Sequence, residues 1–289
     1  MAFYAPIPSA ALRVMGSDRV PFVHGQVSND VRGLATPGLC RSAILNVKGQ
    51  LEYDVRIYRR EDDLYVHAHA GLGAALLERL QRYVVFDDVQ LSDITQRISV
   101  YHVSGDIASS LGFAGDVQLL PSDFGKLLIA GVNRGLEGGA DIHVLRDHAA
   151  ALEAFLQSRA TLLSPHDLEL ARLRAGLSDA HLDQFLERLP QECGLEGAVS
   201  YKKGCYIGQE IMARLEARGN TRYALQRVAL SAVAPVGGAV TREGKNVGQL
   251  GANLQDGDRV IGLAILRRDL EPDAVLEVGG LRLSIVQMR

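Results

Sequence analysis

Between Tyr201 and Arg218 the sequence reads YKKGCYIGQEIMARLEAR, the densest run of chemically able side chains in the protein. Lys202 and Lys203 lead into Gly204, Cys205 and Tyr206, and Gly208, Gln209 and Glu210 follow. The spacing of Ile207, Ile211 and Leu215 predicts a short helix starting near Gly208. A helix start presents unpaired N–H groups and partial positive charge, so a thiol just before it, beside lysines, is biased toward thiolate. Cys205 therefore reads as a reactive thiol or a soft metal ligand. Plainer roles exist for each residue: Cys205 as a small buried apolar group, Glu210 as a complement to the helix start, and the lysines as a solvated face.

The elements around this run must position it. Asp18 is placed to cap a short helix over Arg19 to His24, after which GQVSND puts Asn29 and Asp30 in a polar turn; His24 itself reads as a partly exposed helix residue. SAILNVKGQLEYDVRIY predicts a hairpin turning at Lys48 and Gly49, and DLYVHAHA a further strand with Tyr65, His67 and His69 on its polar side. Two histidines two residues apart share a face, but no third ligand is in view, so no metal site is expected. Helices are predicted over Gly73 to Tyr83, Ile107 to Leu111 and Asp147 to Ser158, with strands in VVFDDVQLSDIT, ISVYHVSG and LLIAGV between them. SPHDLELARLRAG opens with Ser164 as N-cap and Pro165 in the first turn. From Arg227 onward, short β-runs separated by glycines and polar turns predict a small antiparallel barrel.

These elements predict an α+β protein with a ferredoxin-like unit and a C-terminal barrel. The expected units are 1–95 completed by 161–222, then 96–160, then 223–289. The 289 residues carry a formal charge of −3, which gives no overall attraction to nucleic acid or membrane. Locally, residues 200–227 hold six basic against two acidic side chains. The three cysteines, Cys40, Cys193 and Cys205, are too few and too scattered for a disulfide framework and fit a reducing compartment. With no apolar span and no leader-like start, a cytoplasmic protein is expected.

KGCYIGQE resembles the signature of the YgfZ-type folate-binding proteins, relatives of the tetrahydrofolate-dependent aminomethyltransferase (T-protein) of the glycine cleavage system. VHGQVSND, NVKGQLEYD, the helix of Arg172 and the Pro190, Gln191, Glu192 segment resemble that family as well. The resemblance implies three domains in a cloverleaf around a cavity that binds tetrahydrofolate or a one-carbon derivative. It implies roles for Asn29, Gln209 and Glu210 in that site, Tyr206 as an aromatic wall, Asp30 or Glu137 for the pterin donors, and Arg172, Arg214 or Lys203 for the glutamate tail. Where the aminomethyltransferases carry two adjacent aspartates this chain has Tyr53 and Asp54, which leaves transferase chemistry open. The resemblance further implies support of iron–sulfur enzymes or their assembly proteins, tRNA-modifying ones included, with Cys205 as the redox-active or cluster-binding group. One-carbon or aminomethyl transfer is the competing enzymatic reading. A third has the basic tail Arg214 to Arg227 docking tRNA.

Overall fold

The computed structural model describes residues 1–219 and 221–286; Asn220 and the Arg218 side chain, both within the basic tail, lie outside the described part. The chain begins with β1 (Phe3–Pro6) and β2 (Ser9–Met15), neither anticipated from sequence, then α1 (Arg19–Gln26), β3 (Gly38–Leu45), β4 (Leu51–Arg59), β5 (Leu64–His69), α2 (Gly73–Gln81) and β6 (Gln90–Asp93). The sheet order is β3-β4-β5-β2-β6, with every neighbouring pair antiparallel. One face of it packs Leu12, Val14, Ile44, Val55, Ile57 and Val66 against Phe22 and Val23 of α1 and Leu76 and Leu80 of α2. This is the period-2 apolar face meeting two amphipathic helices.

β1 does not join that sheet. It pairs with β7 (Ile98–Val103) of a second unit, which continues through α3 (Ile107–Ser110), β8 (Val117–Ser122), β9 (Gly125–Gly131), β10 (Ala140–Leu145), α4 (Arg146–Gln157) and β11 (Thr161–Leu162) in the order β11-β1-β7-β10-β9-β8. Only the β1–β11 pair is parallel. Leu152 and Leu156 of α4, with Ile107 of α3, cover one face of this sheet.

The remaining faces of the two sheets meet. Tyr58 and Tyr65 of the first pack with Leu128, Ala130 and Val132 of the second. Here the sequence expectation fails: the side of β5 read as polar is an interior surface, and His67 keeps only 3% of its surface exposed. Alternation identifies two faces of a strand but not what covers the polar one.

α5 (Pro165–Ala175) starts as predicted, with Ser164 Oγ accepting the Asp167 N–H at 3.1 Å, and ends at Gly176 in the left-handed region with φ 70°. A segment of short turns leads to α6 (Gln209–Arg218), whose N-cap is Gly208. Six strands then close the antiparallel barrel: β12 (Tyr223–Leu230), β13 (Ala239–Arg242), β14 (Lys245–Asp256), β15 (Arg259–Arg267), β16 (Leu276–Val278) and β17 (Leu281–Ile285). Among the described residues no helix is long and apolar enough to cross a membrane.

Candidate functional site

The KGCYIGQE loop is built by two close approaches. Gly208 has φ +86°, and a Cβ there would lie 2.8 Å from the Asn46 carbonyl oxygen. Gly49, at φ +73° in the facing hairpin turn, would meet the Met212 methyl at 2.8 Å. The NVKGQ turn and the start of α6 thus dock glycine to glycine, which only residues without a Cβ permit. Beside this contact Tyr206 is buried in a cluster with Leu45, Leu51 and Met212.

Lys203 is a structural staple. Its Nζ donates to the carbonyls of His24 (2.5 Å), Val27 (2.6 Å) and Asn29 (3.0 Å), at the C-terminal end of α1 and the turn beyond. Its ammonium also lies 4.7 Å from the Tyr206 ring centroid. A cation here complements the negative end of the helix dipole. Burial pulls its pKa down to about 8, and the charge is retained at neutral pH. Lys203→Met is expected to lower stability by about 1–2 kcal/mol, because three carbonyls lose a charged donor while the cost of burying that charge is relieved; urea denaturation measures it.

Asn29 and Asp30 join the same neighbourhood. Asn29 Nδ2 donates to the carbonyls of Arg41 and Gly197, and its Oδ1 accepts the Asp30 N–H. Asp30 accepts from the Gly33 N–H and keeps 44% of its side chain exposed. His24 is not partly exposed but buried, with burial, then Lys203, lowering its pKa. Of the three cysteines only Cys205 is exposed. Cys40 is half-buried with its thiol raised to about 12, chiefly by burial, and Cys193 is buried and its thiol is raised as well, chiefly by burial. Gln209 opens α6 half-buried, while Glu210 and Arg214 form an exposed pair four residues apart on that helix. Pairs of this kind contribute little.

The other expected ligand residues are not gathered there. Glu137 is exposed on the β9–β10 loop. Arg172 is buried and fully engaged with Glu169, Asp183 and the Leu177 carbonyl, so its guanidinium is no clamp for an incoming carboxylate. Asp54 accepts from Arg41 through both oxygens, at 2.9 and 2.5 Å. A cleft of about 520 Å3 between the end of α5 and the barrel is lined by Gly176, Gln191, Glu196, Arg227, Arg267 and Arg268, none of them an expected folate ligand.

Sequence reasoning missed a polar centre between the two sheets. Arg41, Arg56 and His67 stand directly opposite one another across β3, β4 and β5. From the second sheet Asp141 accepts from Arg134 (2.9 and 2.7 Å) and contacts His102 Nδ1 at 2.8 Å. Burial alone would raise the Asp141 carboxyl, yet Arg134 and His102 hold it well below the usual range. The signal was present in the pattern DVR within LEYDVRIY, which puts Asp54 and Arg56 on one strand face. What that face met was not.

No protein-family model matches the chain. It is 28% identical to the tRNA-modifying protein YgfZ of Shigella dysenteriae, over 93% of this chain and 86% of that protein, and the same figures hold for YgfZ of Escherichia coli K12. Among solved structures, the glycine cleavage system aminomethyltransferase T from Bartonella henselae matches with TM-score 0.81 and 19% identity, over 99% of this chain and 85% of that one. The fold is therefore aminomethyltransferase-like, as the motifs implied.

Proposed function

From a chain homologous to the YgfZ tRNA-modifying proteins, we propose a cytoplasmic tetrahydrofolate-binding protein that supports the assembly, repair or activity of iron–sulfur enzymes, including those that modify tRNA. The observation that carries this reading is the likeness to those proteins along 93% of the chain. Two features agree with it. The exposed thiol belongs to Cys205, held on a loop that Lys203, Gly49 and Gly208 fix in place. A thiolate is the ligand that iron–sulfur chemistry uses, and accessibility is what a transient ligand or redox thiol needs.

For folate, the two carboxylates expected to meet the pterin, Asp30 and Glu137, have no guanidinium partner among the described residues, and each is exposed enough to accept pterin N–H donors. The unpaired buried nitrogens of His67 and His102 and the Ser178 hydroxyl flank the polar centre between the sheets and fit a polar occupant there. The folate, when bound, supplies one-carbon chemistry; this chain's residues position and enclose it. Asp54, closed by Arg41, is not free to orient a reacting amine, which argues against aminomethyl transfer.

Calorimetric titration with tetrahydrofolate tests the first half, and absence of binding refutes it. Complementation of cells lacking the homologous protein, with tRNA methylthiolation as readout, tests the second. Cys205→Ser is expected to fold normally and fail to rescue; rescue equal to the parent removes the thiol from the mechanism. Formation of 5,10-methylenetetrahydrofolate from aminomethyl-lipoyl carrier protein would instead restore the transferase reading. Loss of tRNA binding with rising salt would support docking through the basic tail.

A further inference from the structure

Arg56 is placed where a structure without a ligand has no use for it. Its cross-strand neighbour on β3 is Arg41, and like charges directly opposite on a sheet repel. Arg41 is neutralised by Asp54 and Arg134 by Asp141, each through two hydrogen bonds. Arg56 lies within Coulombic reach of all four, yet no hydrogen bond to any described residue holds its guanidinium. Burial, then Arg134 and Arg41, act against its charge. Asp179 does not hold it either: no hydrogen bond joins the two residues, and Asp179 Oδ1 accepts the backbone N–H groups of His181 and Leu182.

Enclosed by protein, Arg56 nonetheless keeps accessible surface, as do Arg41 at 30% and Arg134 at 18% of their side chains. All three side chains are therefore reached by solvent. Two neutral ion pairs flanking one unneutralised, planar, five-donor fork define the complement: a group of single negative charge and planar geometry. A phosphate dianion would bring a second charge that nothing there balances, beside Asp54 and Asp141.

We propose that Arg56, flanked by Arg41 and Arg134 at the junction of the two sheets, is a binding site for the carboxylate of a small organic acid. The site requires a carboxylate and not a pterin, so it goes beyond the folate reading. Two sources share this chemistry: the glutamate end of a folate, and a free dicarboxylate.

The test is calorimetry on the full chain with tetrahydrofolate, p-aminobenzoylglutamate, glutarate, 6-methyltetrahydropterin and inorganic phosphate, for the parent and Arg56→Met. At least one carboxylate probe is expected to bind the parent and to lose about tenfold or more in affinity in the variant. Binding of p-aminobenzoylglutamate but not glutarate assigns the folate end, and the reverse assigns a free acid. In the absence of ligand the melting temperature of Arg56→Met is expected to equal or exceed the parent's, because an unpaired enclosed charge is removed. The proposal is overturned by no carboxylate binding, by equal affinities in the two proteins, by phosphate binding alone, or by a lower melting temperature in the variant. Tetrahydrofolate binding both proteins equally overturns it while leaving the folate reading intact. Arg56-dependent binding of glutarate without tetrahydrofolate binding does the opposite.

Discussion

Arg172→Met is expected to destabilise the protein by about 3–5 kcal/mol, the cost of stranding a buried carboxylate. That carboxylate is Asp183, whose side chain is fully buried. Arg172 donates to both its oxygens at 2.9 Å, to Glu169 at 2.8 and 2.5 Å, and to the Leu177 carbonyl at 2.6 Å. Asp183 also accepts the N–H groups of Asp179 and of Ala252 in the barrel. One guanidinium therefore joins α5, the segment after it and the third unit. Burial drives the Asp183 carboxyl upward and the Arg172 fork opposes it. Without the fork, Asp183 must take up a proton or leave the interior. Chemical denaturation of Arg172→Met should show the loss at pH 7 and a smaller loss at pH 5, and adding Asp183→Leu should recover most of it. Unchanged stability with weakened tetrahydrofolate binding would return Arg172 to the ligand.

Acid is the second lever. His143 is buried between the sheets, with Nε2 2.9 Å from the Tyr58 hydroxyl and Nδ1 3.1 Å from that of Tyr65. Burial pulls its pKa from 6.5 to about 4. Because the folded value lies below the unfolded one, the unfolded chain binds more protons between these pH values. The contribution of His143 is therefore complete above pH 6.5 and is lost as pH falls toward 4. It amounts to about 3 kcal/mol over the whole window, with about 2 kcal/mol gone by pH 5. His67, also driven down first by burial and then by His143, adds in the same direction. Urea denaturation at pH 7.5 and 5 measures the difference, and His143→Gln should flatten it; an unchanged slope in that variant would place the titrating groups elsewhere.

Much of the local architecture was legible because it is dictated locally. Ser164 and Pro165 announce α5, Lys48 and Gly49 the hairpin, and glycine-punctuated β-runs the barrel, since caps and turns depend on residues a few positions apart. The KGCYIGQE loop could be located from sequence, and Cys205 is exposed as its reading as a reactive thiol required. The roles of Lys203 and Tyr206 could not be assigned. Lys203 is occupied by a helix end more than 170 positions earlier, and Tyr206 by an apolar cluster that draws Ala43, Leu45 and Leu51 from the first sheet.

By itself, the sequence determined many of the strands and helices, though not β1 or β2, and the two alternating sides of a strand such as β5. Only the tertiary structure decided what covers the opposite sides. The polar faces of β4 and β5 look solvent-directed in one dimension, yet the second sheet closes over them. That contact turns His67 and His143 into neutral interior groups and encloses Arg56 beside Arg41 and Arg134. Desolvation and Coulombic reach depend on distances through space, which strand alternation does not encode.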